Sequence, residues 1–379
     1  MNKNKKVIIG LSGGVDSSVA AHLLIKAGYE VEAVFMRNWD SATNLDFKGN
    51  PTAFDEVCEQ EKDYLDAVKV ANKLNIKLHK VDFIEEYWDE VFQYFLAEYN
   101  KNRTPNPDIL CNNEIKFKAF IKYAKKFDFD HIAMGHYAQI DHSNGIPKLM
   151  RAKDENKDQT YFLSQLETEQ LENVLFPIGN LDKSEVRKIA KELDLATADK
   201  KDSTGICFIG ERHFTDFLSN YLPAKKGDMR KLDGTFVKTH YGLMNYTIGQ
   251  RKGLGIGGTK DSTNAWYVVG KDLKTNTLYV EPDSNHPNLF SNNAIITEVK
   301  WRGSKDINNK SLTAKFRYRQ EDINVEIEWL DDTTIKVYYN DLVKAVTPGQ
   351  ACVFYDGEVC LGSGFIDTVY MDEEKRQYS

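Results

Sequence analysis

Apolar positions in the first half of the chain alternate between two rhythms. "KVIIGLS" is a continuous apolar run, the pattern of a strand buried on both faces. "VDSSVAAHLLIKAG" then places Val15, Val19, Leu23 and Leu24 on one face of a helix, with Gly28 where a C′ glycine ends one. "VEAVFMR" predicts a second strand, residues 54–73 a helix, "KLHKVDF" a strand and "EEYWDEVFQYFLAEYN" a helix. The loop "RTPNPDILCN" leads into the helix "EIKFKAFIKYAKKF" and the strand "HIAMGHYAQI". A later helix, "DKSEVRKIAKELDL", carries Asp182 and Glu185 at capping-box spacing. Strands separated by helices predict an α/β domain with a mostly parallel sheet covered on both faces.

Past about residue 205 helical periodicity fades and short alternating runs take over: "WYVVGKD", "TLYVEP", "LTAKFRYRQ", "NVEIEWL", "TIKVYY" and "ACVFYDGEVCLGSGF". Asp331-Asp332, Asn340-Asp341, Pro348-Gly349 and Asp356-Gly357 are expected turns between them. The pattern predicts a first domain over residues 1–205, a small β-rich linking domain over 206–290 and a C-terminal β-barrel over 291–379.

Composition narrows this little. No apolar run reaches membrane-span length, and the N-terminus resembles neither a secretory signal nor a transit peptide. Five scattered cysteines without a CxxC pair point to a reducing, cytoplasmic setting. The net charge of −7 means that any nucleic-acid site must be a local basic patch. Candidates are Lys116, Lys118, Lys122, Lys125 and Lys126, then Lys200-Lys201, Lys225-Lys226, Arg230-Lys231 and Arg251-Lys252.

Between the first strand and helix lies "SGGVDSS". It has the place of a phosphate-binding loop but lacks the Walker lysine, and it does not match GxGxxG. Successive N–H groups and a helix dipole still make an anion cradle there, with Ser12, Ser17 and Ser18 as candidate hydroxyl donors. Asp16 either favours the helix dipole or holds Mg²⁺ on a polyphosphate. "GLGIGG" (residues 253–258) does match GxGxxG, but no strand precedes it and no helix follows, so a glycine-rich loop is expected. Cys352 and Cys360 lie in strand-like runs and read as small core hydrophobes, while Cys58 in a charged helix is ambiguous. Cys111 follows a proline-stiffened loop at a helix start, where the dipole lowers a thiol pKa, and Cys207 lies in the glycine-flanked loop "DSTGICFIGER". A reactive pair and two inert thiols both remain open on this reading.

"SGGVDSS" resembles the PP-loop of ATP pyrophosphatases, which cleave ATP between the α- and β-phosphates, adenylate a substrate oxygen and release pyrophosphate. "RTPNPDILCNNEIKF", "MGHYA", "NKDQTYFL", "KKDSTGICFIGERHF", "TIGQRKGLGIGG" and "TPGQACVFYDGEVCLGSG" make the chain similar, nearly end to end, to the bacterial tRNA-specific 2-thiouridylase family. The visible departure is the polar stretch "DSATNLDFKGNPTAFDEVCEQEKD".

The resemblance implies a PP-loop, adenine nucleotide alpha hydrolase-like first domain, with ATP and Mg²⁺ as cofactors. ATP would be held by Gly10, Leu11, Ser12, Gly13, Gly14, Val15, Asp16, Ser17, Met36 and Gly135. ATP would adenylate O2 of a tRNA wobble uridine, Cys207 would carry sulfur as a persulfide, and Cys111 would be the nucleophile that frees it. Asp108 would be the general acid/base, with Asn106, Pro107 and Asp108 at the target base. His136, Lys157, Asp158, Gln159, Arg317, Tyr318 and Gln350 would contact tRNA. Independently of the resemblance, the period of two in "FRYRQ" puts Arg317 and Arg319 on one strand face with Tyr318 on the other, and if the β-rich part clamps tRNA a chain cut near residue 290 would keep ATP binding but lose most tRNA affinity. The partners implied are wobble-uridine tRNAs and a sulfur donor, either a cysteine desulfurase or a relay protein. A PP-loop synthetase for a small metabolite, an iron–sulfur thiolase and a non-enzymatic tRNA-binding module are the competing readings.

Overall fold

The strands of the first half form one parallel sheet. β1 (Lys6–Gly10), β2 (Glu30–Arg37), β3 (Lys77–Asp82), β4 (His131–Ala133) and, after the short β5 (Gln139–Asp141) and β6 (Lys148–Met150), β7 (Val174–Leu175) run in the order β3-β2-β1-β4-β7. Every neighbour in this sheet is parallel. The winding reverses between β1 and β4, so the crevice for a ligand opens there, beyond the carboxyl ends of those two strands. α1 (Val15–Lys26) buries Val15, Val19 and Leu24 as its periodicity predicts. α2 (Glu59–Leu74) buries Ala67, Val70 and Ala71. The helix Lys183–Glu192 makes both bonds of the Asp182/Glu185 capping box. The computed structural model describes residues 5–53, 55, 58–202, 205–206, 209–257, 265–305 and 312–378.

The second half is β-rich as expected. β8 (Gly227–Arg230), β9 (Phe236–His240), β10 (Tyr267–Asp272) and β11 (Thr277–Glu281) form a separate sheet in the order β10-β11-β8-β9. β12 (Phe290–Trp301), β13 (Leu312–Lys315), β14 (Ile323–Trp329), β15 (Ile335–Lys344), β16 (Ala351–Asp356) and β17 (Val359–Met371) follow in the order β12-β15-β14-β13-β16-β17. Pairing of β12 with β17 closes them into a barrel.

Four local expectations differ from the structure. "HIAMGHYAQI" is not one strand: the parallel strand ends at Ala133, the chain leaves that sheet, held by Tyr137 N–H to Gln159 Oε1 at 2.9 Å and Gln159 N–H to Tyr137 O at 2.8 Å, and Gln139 and Ile140 begin the separate β5. Cys58 is the exposed N-cap residue of α2 and not part of its body. Asn340-Asp341 lies inside β15, where the pairing with β12 skips from Ser291↔Val343 to Asn293↔Tyr338, so the polar pair sits in a bulge and not a turn. "FRYRQ" is no strand: β13 ends at Lys315, Phe316 N–H donates to Gln320 Oε1 at 2.8 Å, and Arg319 has φ +62. Arg317 and Arg319 therefore share no strand face.

The barrel and the parallel-sheet domain have a common core. Phe95, Ile109, Cys111, Phe117 and Met134 pack in one cluster with Ala351, Val353, Tyr355, Cys360 and Phe365 of the barrel. Buried polar pegs cross the same boundary. Tyr161 Oη donates to Ala351 O at 3.1 Å and Ser164 Oγ to Ser363 Oγ at 2.8 Å. The buried Arg302 guanidinium donates to Ser164 O at 2.8 Å, to Leu166 O, and to Cys360 O at 2.8 Å.

A third tie comes from the middle sheet. Lys271 on β10 is 2% exposed and donates from Nζ to Asn102 O at 2.7 Å, just before the "TPNPD" loop. Burial pushes its pKa down to about 7. An unfolded lysine keeps its proton to about pH 10. Between those values unfolding takes up a proton, so the Lys271 contribution to stability rises with pH and is lost as pH falls toward about 7. Melting curves of wild type and Lys271→Met are expected to diverge, wild type gaining about 1 kcal/mol per pH unit relative to the variant above about pH 7. Parallel pH profiles of the two proteins would show that Lys271 does not titrate there.

Candidate active site

The glycine loop sits at the switch point of the sheet, between β1 and α1. Gly13 has φ +72, and a Cβ there would lie 2.1 Å from Asp63 O of α2, so only glycine fits. The serines hold the loop together. Ser17 Oγ accepts from Ser12 N–H at 3.2 Å, Ser18 Oγ donates to Gly14 O at 2.7 Å and accepts from Thr197 Oγ1 at 3.1 Å. Only Ser12 of the three is exposed. Gly135 presses on the start of α1: a Cβ there would come 2.7 Å from Ser17 N. This packing is itself enough to demand glycine, and it brings the loop after β4 against the cradle. Met36 ends beside the same loop, since a Cβ at Gly10 would lie 3.1 Å from its Cε.

A set of charges that the motif does not contain surrounds this loop. Lys183 Nζ lies 2.8 Å from both oxygens of Asp16 and 2.7 Å from Asp202 Oδ1. Tyr137 Oη donates to Asp16 Oδ1 at 2.9 Å. Asp202 is also held by Lys157 and by Arg187, each at 2.8 Å. Burial alone would raise the Asp202 carboxyl, but hydrogen bonds and charge from Lys157 and Lys183 bring it down to about 2. Lys200 Nζ donates to Gly13 O at 2.9 Å and pairs with Asp63 at 2.7 Å and Asp66 at 2.8 Å. Lys183, Tyr137, Asp202, Arg187 and Lys200 are the residues that sequence reasoning missed as parts of this site. One signal was available: the capping box makes Lys183 the first residue of its helix, where a cation opposes the dipole.

The "TPNPD" segment is the start of a helix rather than a free loop. Asn106 is the N-cap, its Oδ1 accepting from Asp108 N–H at 3.2 Å, and Pro107 opens the helix. Cys111 therefore lies a full turn inside, 0% exposed, where the helix widens to i→i+5 bonding over Cys111–Ala119. The expectation that the dipole activates this thiol loses its basis, because the effect fades beyond the first turn. Asp108 and Cys111, three apart, share a helix face. Cys207 lies outside the described residues. Just beyond it, Arg212 makes a buried ion pair with Asp46 at 2.8 Å, and Trp39 Nε1 donates to the same oxygen at 3.0 Å. His213 N–H donates to Gly49 O at 2.8 Å and Tyr221 Oη to Asn44 O at 2.9 Å. The polar stretch starting at Asp40 is thus the bed for the chain that leaves the Cys207 region.

The remaining expected RNA contacts are scattered in setting. His136 lies between Phe117 and Phe176, with ring centroids 5.9 Å from each. Its Nδ1 has no hydrogen-bond partner among the described residues, and burial, with Lys116 nearby, keeps its pKa well below the ordinary value. Asp158 is buried, accepting from Ala152 N–H at 3.0 Å and Thr160 Oγ1 at 2.6 Å. Tyr318 packs on Phe162 at 4.4 Å, Arg317 is exposed, and Gln350 Nε2 donates to Thr104 O at 2.6 Å. Asp158, Gln159, Lys157 and Gln350 thus all have partners within the chain. Cys352 and Cys360 are fully buried barrel residues, and burial raises both thiols.

Three family profiles match the chain: a tRNA methyl transferase HUP domain over residues 5–211, a tRNA methyl transferase PRC-barrel domain over 215–282, and an aminomethyltransferase beta-barrel domain over 291–366. The tRNA-specific 2-thiouridylase MnmA of Acholeplasma laidlawii is 75% identical over 375 residues, covering 99% of this chain and 100% of that one. Its namesake from Shewanella oneidensis is 55% identical over 367 residues, covering 96% of each chain. A 4-thiouridine synthetase solved as an RNA complex with bound ATP aligns over 57% of this chain and 50% of that chain, at 18% identity and a TM-score of 0.36. On the end-to-end identity to its curated relatives, the chain belongs to the tRNA-specific 2-thiouridylase family.

Proposed function

We propose that the protein is an ATP-dependent tRNA-uridine 2-sulfurtransferase that thiolates the wobble uridine. The observation that carries this reading is the 75% identity, end to end, to a protein named for that activity. The family profiles speak of methyl transfer in their descriptions. A phosphate cradle at the switch point and a thiol three residues from a carboxylate suit activation and thiolation better.

ATP binds across the β1–β4 crevice, its phosphates on the N–H groups at the start of α1 and its adenine toward Met36. Asp16 offers one carboxylate to Mg²⁺, which suits an ion that takes its other ligands from phosphate and water, and which would screen the phosphate charge. Uridine O2 attacks the α-phosphorus as the bond to the β-phosphate oxygen breaks, and the electron pair leaves with pyrophosphate. Asp108 takes the N3 proton. The terminal persulfide sulfur on Cys207 then attacks C2 and AMP departs. Cys111 attacks the inner sulfur, leaving the pair of the broken S–S bond on the new 2-thio group and a Cys111–Cys207 disulfide for a reductant. Cys111 is enclosed, so the segments covering it part before an extruded base reaches it.

The direct test incubates protein, unmodified tRNA, ATP and a cysteine desulfurase charged with cysteine, and reads nucleosides by mass spectrometry. The expected result is 2-thiouridine at the wobble position with AMP and pyrophosphate. Product ADP, or pyrophosphate release that ignores tRNA, would favour a small-metabolite synthetase or an unrelated ATPase.

A further inference from the structure

The PP-loop motif of this chain carries no cation, yet Lys183 stands beside it with its ammonium held between two carboxylates. Its partners are Asp16 Oδ1 and Oδ2, at 2.8 Å each, and Asp202 Oδ1 at 2.7 Å. The side chain is only 14% exposed. It comes from a helix remote in sequence, at a first-turn position where a cation is disfavoured. A lysine held so close to an anion cradle, against its own helix dipole, calls for a reason beyond the two aspartates.

We propose that Lys183 is the phosphate-binding cation of this site, held on Asp16 and Asp202 until the triphosphate arrives. The inference rests on the reading of the loop as an ATP-pyrophosphatase cradle. On nucleotide binding the ammonium exchanges a carboxylate for an oxygen of the β- or γ-phosphate. Its charge meets the negative charge that grows on pyrophosphate as the bond to the α-phosphorus breaks. The exchange is cheap because one anionic partner is replaced by another, while Tyr137 still donates to Asp16. Asp202 retains Lys157 and Arg187 when Lys183 turns away, so its carboxylate is not left without a cation.

A purely structural Lys183 would neutralise the two aspartates and nothing more. The two roles separate by ligand and by sign. Calorimetric titration with inorganic pyrophosphate and, separately, with AMP reads the phosphate site without requiring turnover. Lys183→Gln is expected to weaken pyrophosphate binding by about tenfold or more while AMP binding shifts by less than about threefold, and Lys183→Arg should recover most of the loss. Asp202→Asn removes a competing carboxylate, so it should tighten pyrophosphate binding; a structural network would predict the opposite. Equal losses for pyrophosphate and AMP, no loss for either, or weaker pyrophosphate binding in Asp202→Asn would overturn the proposal. The last criterion stands even if Lys183→Gln does not fold. The proposed activity fails on different grounds: wild type could bind pyrophosphate through Lys183 and still form no 2-thiouridine.

Discussion

Replacing Cys111 with Ser is expected to reduce 2-thiouridine formation by about three orders of magnitude or more, the scale on which enzymes lose activity with their nucleophile. Serine is close to cysteine in size, though a hydroxyl at this fully buried position costs about 1–3 kcal/mol if it finds no partner. A thermal melt guards against misreading a folding defect. The sulfur should still reach Cys207 in this variant, so a persulfide accumulates, and tRNA-dependent release of pyrophosphate should survive. Cys207→Ser should show the reverse: adenylation without persulfide. Cys352→Ser and Cys360→Ser serve as controls, because burial keeps both thiols protonated in the barrel core. Wild-type rates of thiolation from Cys111→Ser would return this cysteine to the status of a core hydrophobe, which its burial alone equally fits.

The parallel sheet was legible because its strands are continuous apolar runs and its helices carry clear periodicity and caps. Val15, Val19 and Leu24, and the Asp182/Glu185 box, lie where those patterns put them. Failures cluster where tertiary contacts override local pattern. The strand pattern of "HIAMGHYAQI" breaks because Gly135 must press against Ser17 and Tyr137 bonds Gln159. "FRYRQ" turns because Gln320 reaches back to Phe316 N–H. Half of the proposed phosphate site was legible too, as a nest on a strand–helix junction. The other half was not, since Lys183 and Lys200 come from 167 and more residues away and belong to no local motif. Several residues expected at the RNA are also occupied within the chain, Asp158 and Gln350 among them, and sequence cannot report such partners.

Removal of the barrel is expected to unfold the protein, against the sequence expectation that a chain cut near residue 290 keeps its nucleotide site. Change of periodicity marks a change of architecture, but it says nothing about whether two architectures share a core. Here they do: Ala351, Val353, Tyr355, Cys360 and Phe365 complete the cluster that contains Phe95, Phe117 and Cys111. Losing large buried side chains costs about 3–5 kcal/mol each, and net stabilities are about 5–15 kcal/mol, so losing Tyr355 and Phe365 together with the rest of that face exceeds what the remainder holds. The cut also strands polar groups. Ser164 O and Leu166 O lose Arg302, Tyr161 Oη loses Ala351 O, and β6 loses its pairing with β17 at Val359. The truncated chain should show no cooperative thermal transition, rapid proteolysis between residues 139 and 170, and no binding of inorganic pyrophosphate. A cooperative melt together with full-length affinity for pyrophosphate would show that the N-terminal sheet closes its own core. Arg302→Met tests the same boundary more gently: it removes the peg and keeps the volume. It should lower the melting temperature of the whole chain in a single transition, because the two architectures unfold as one.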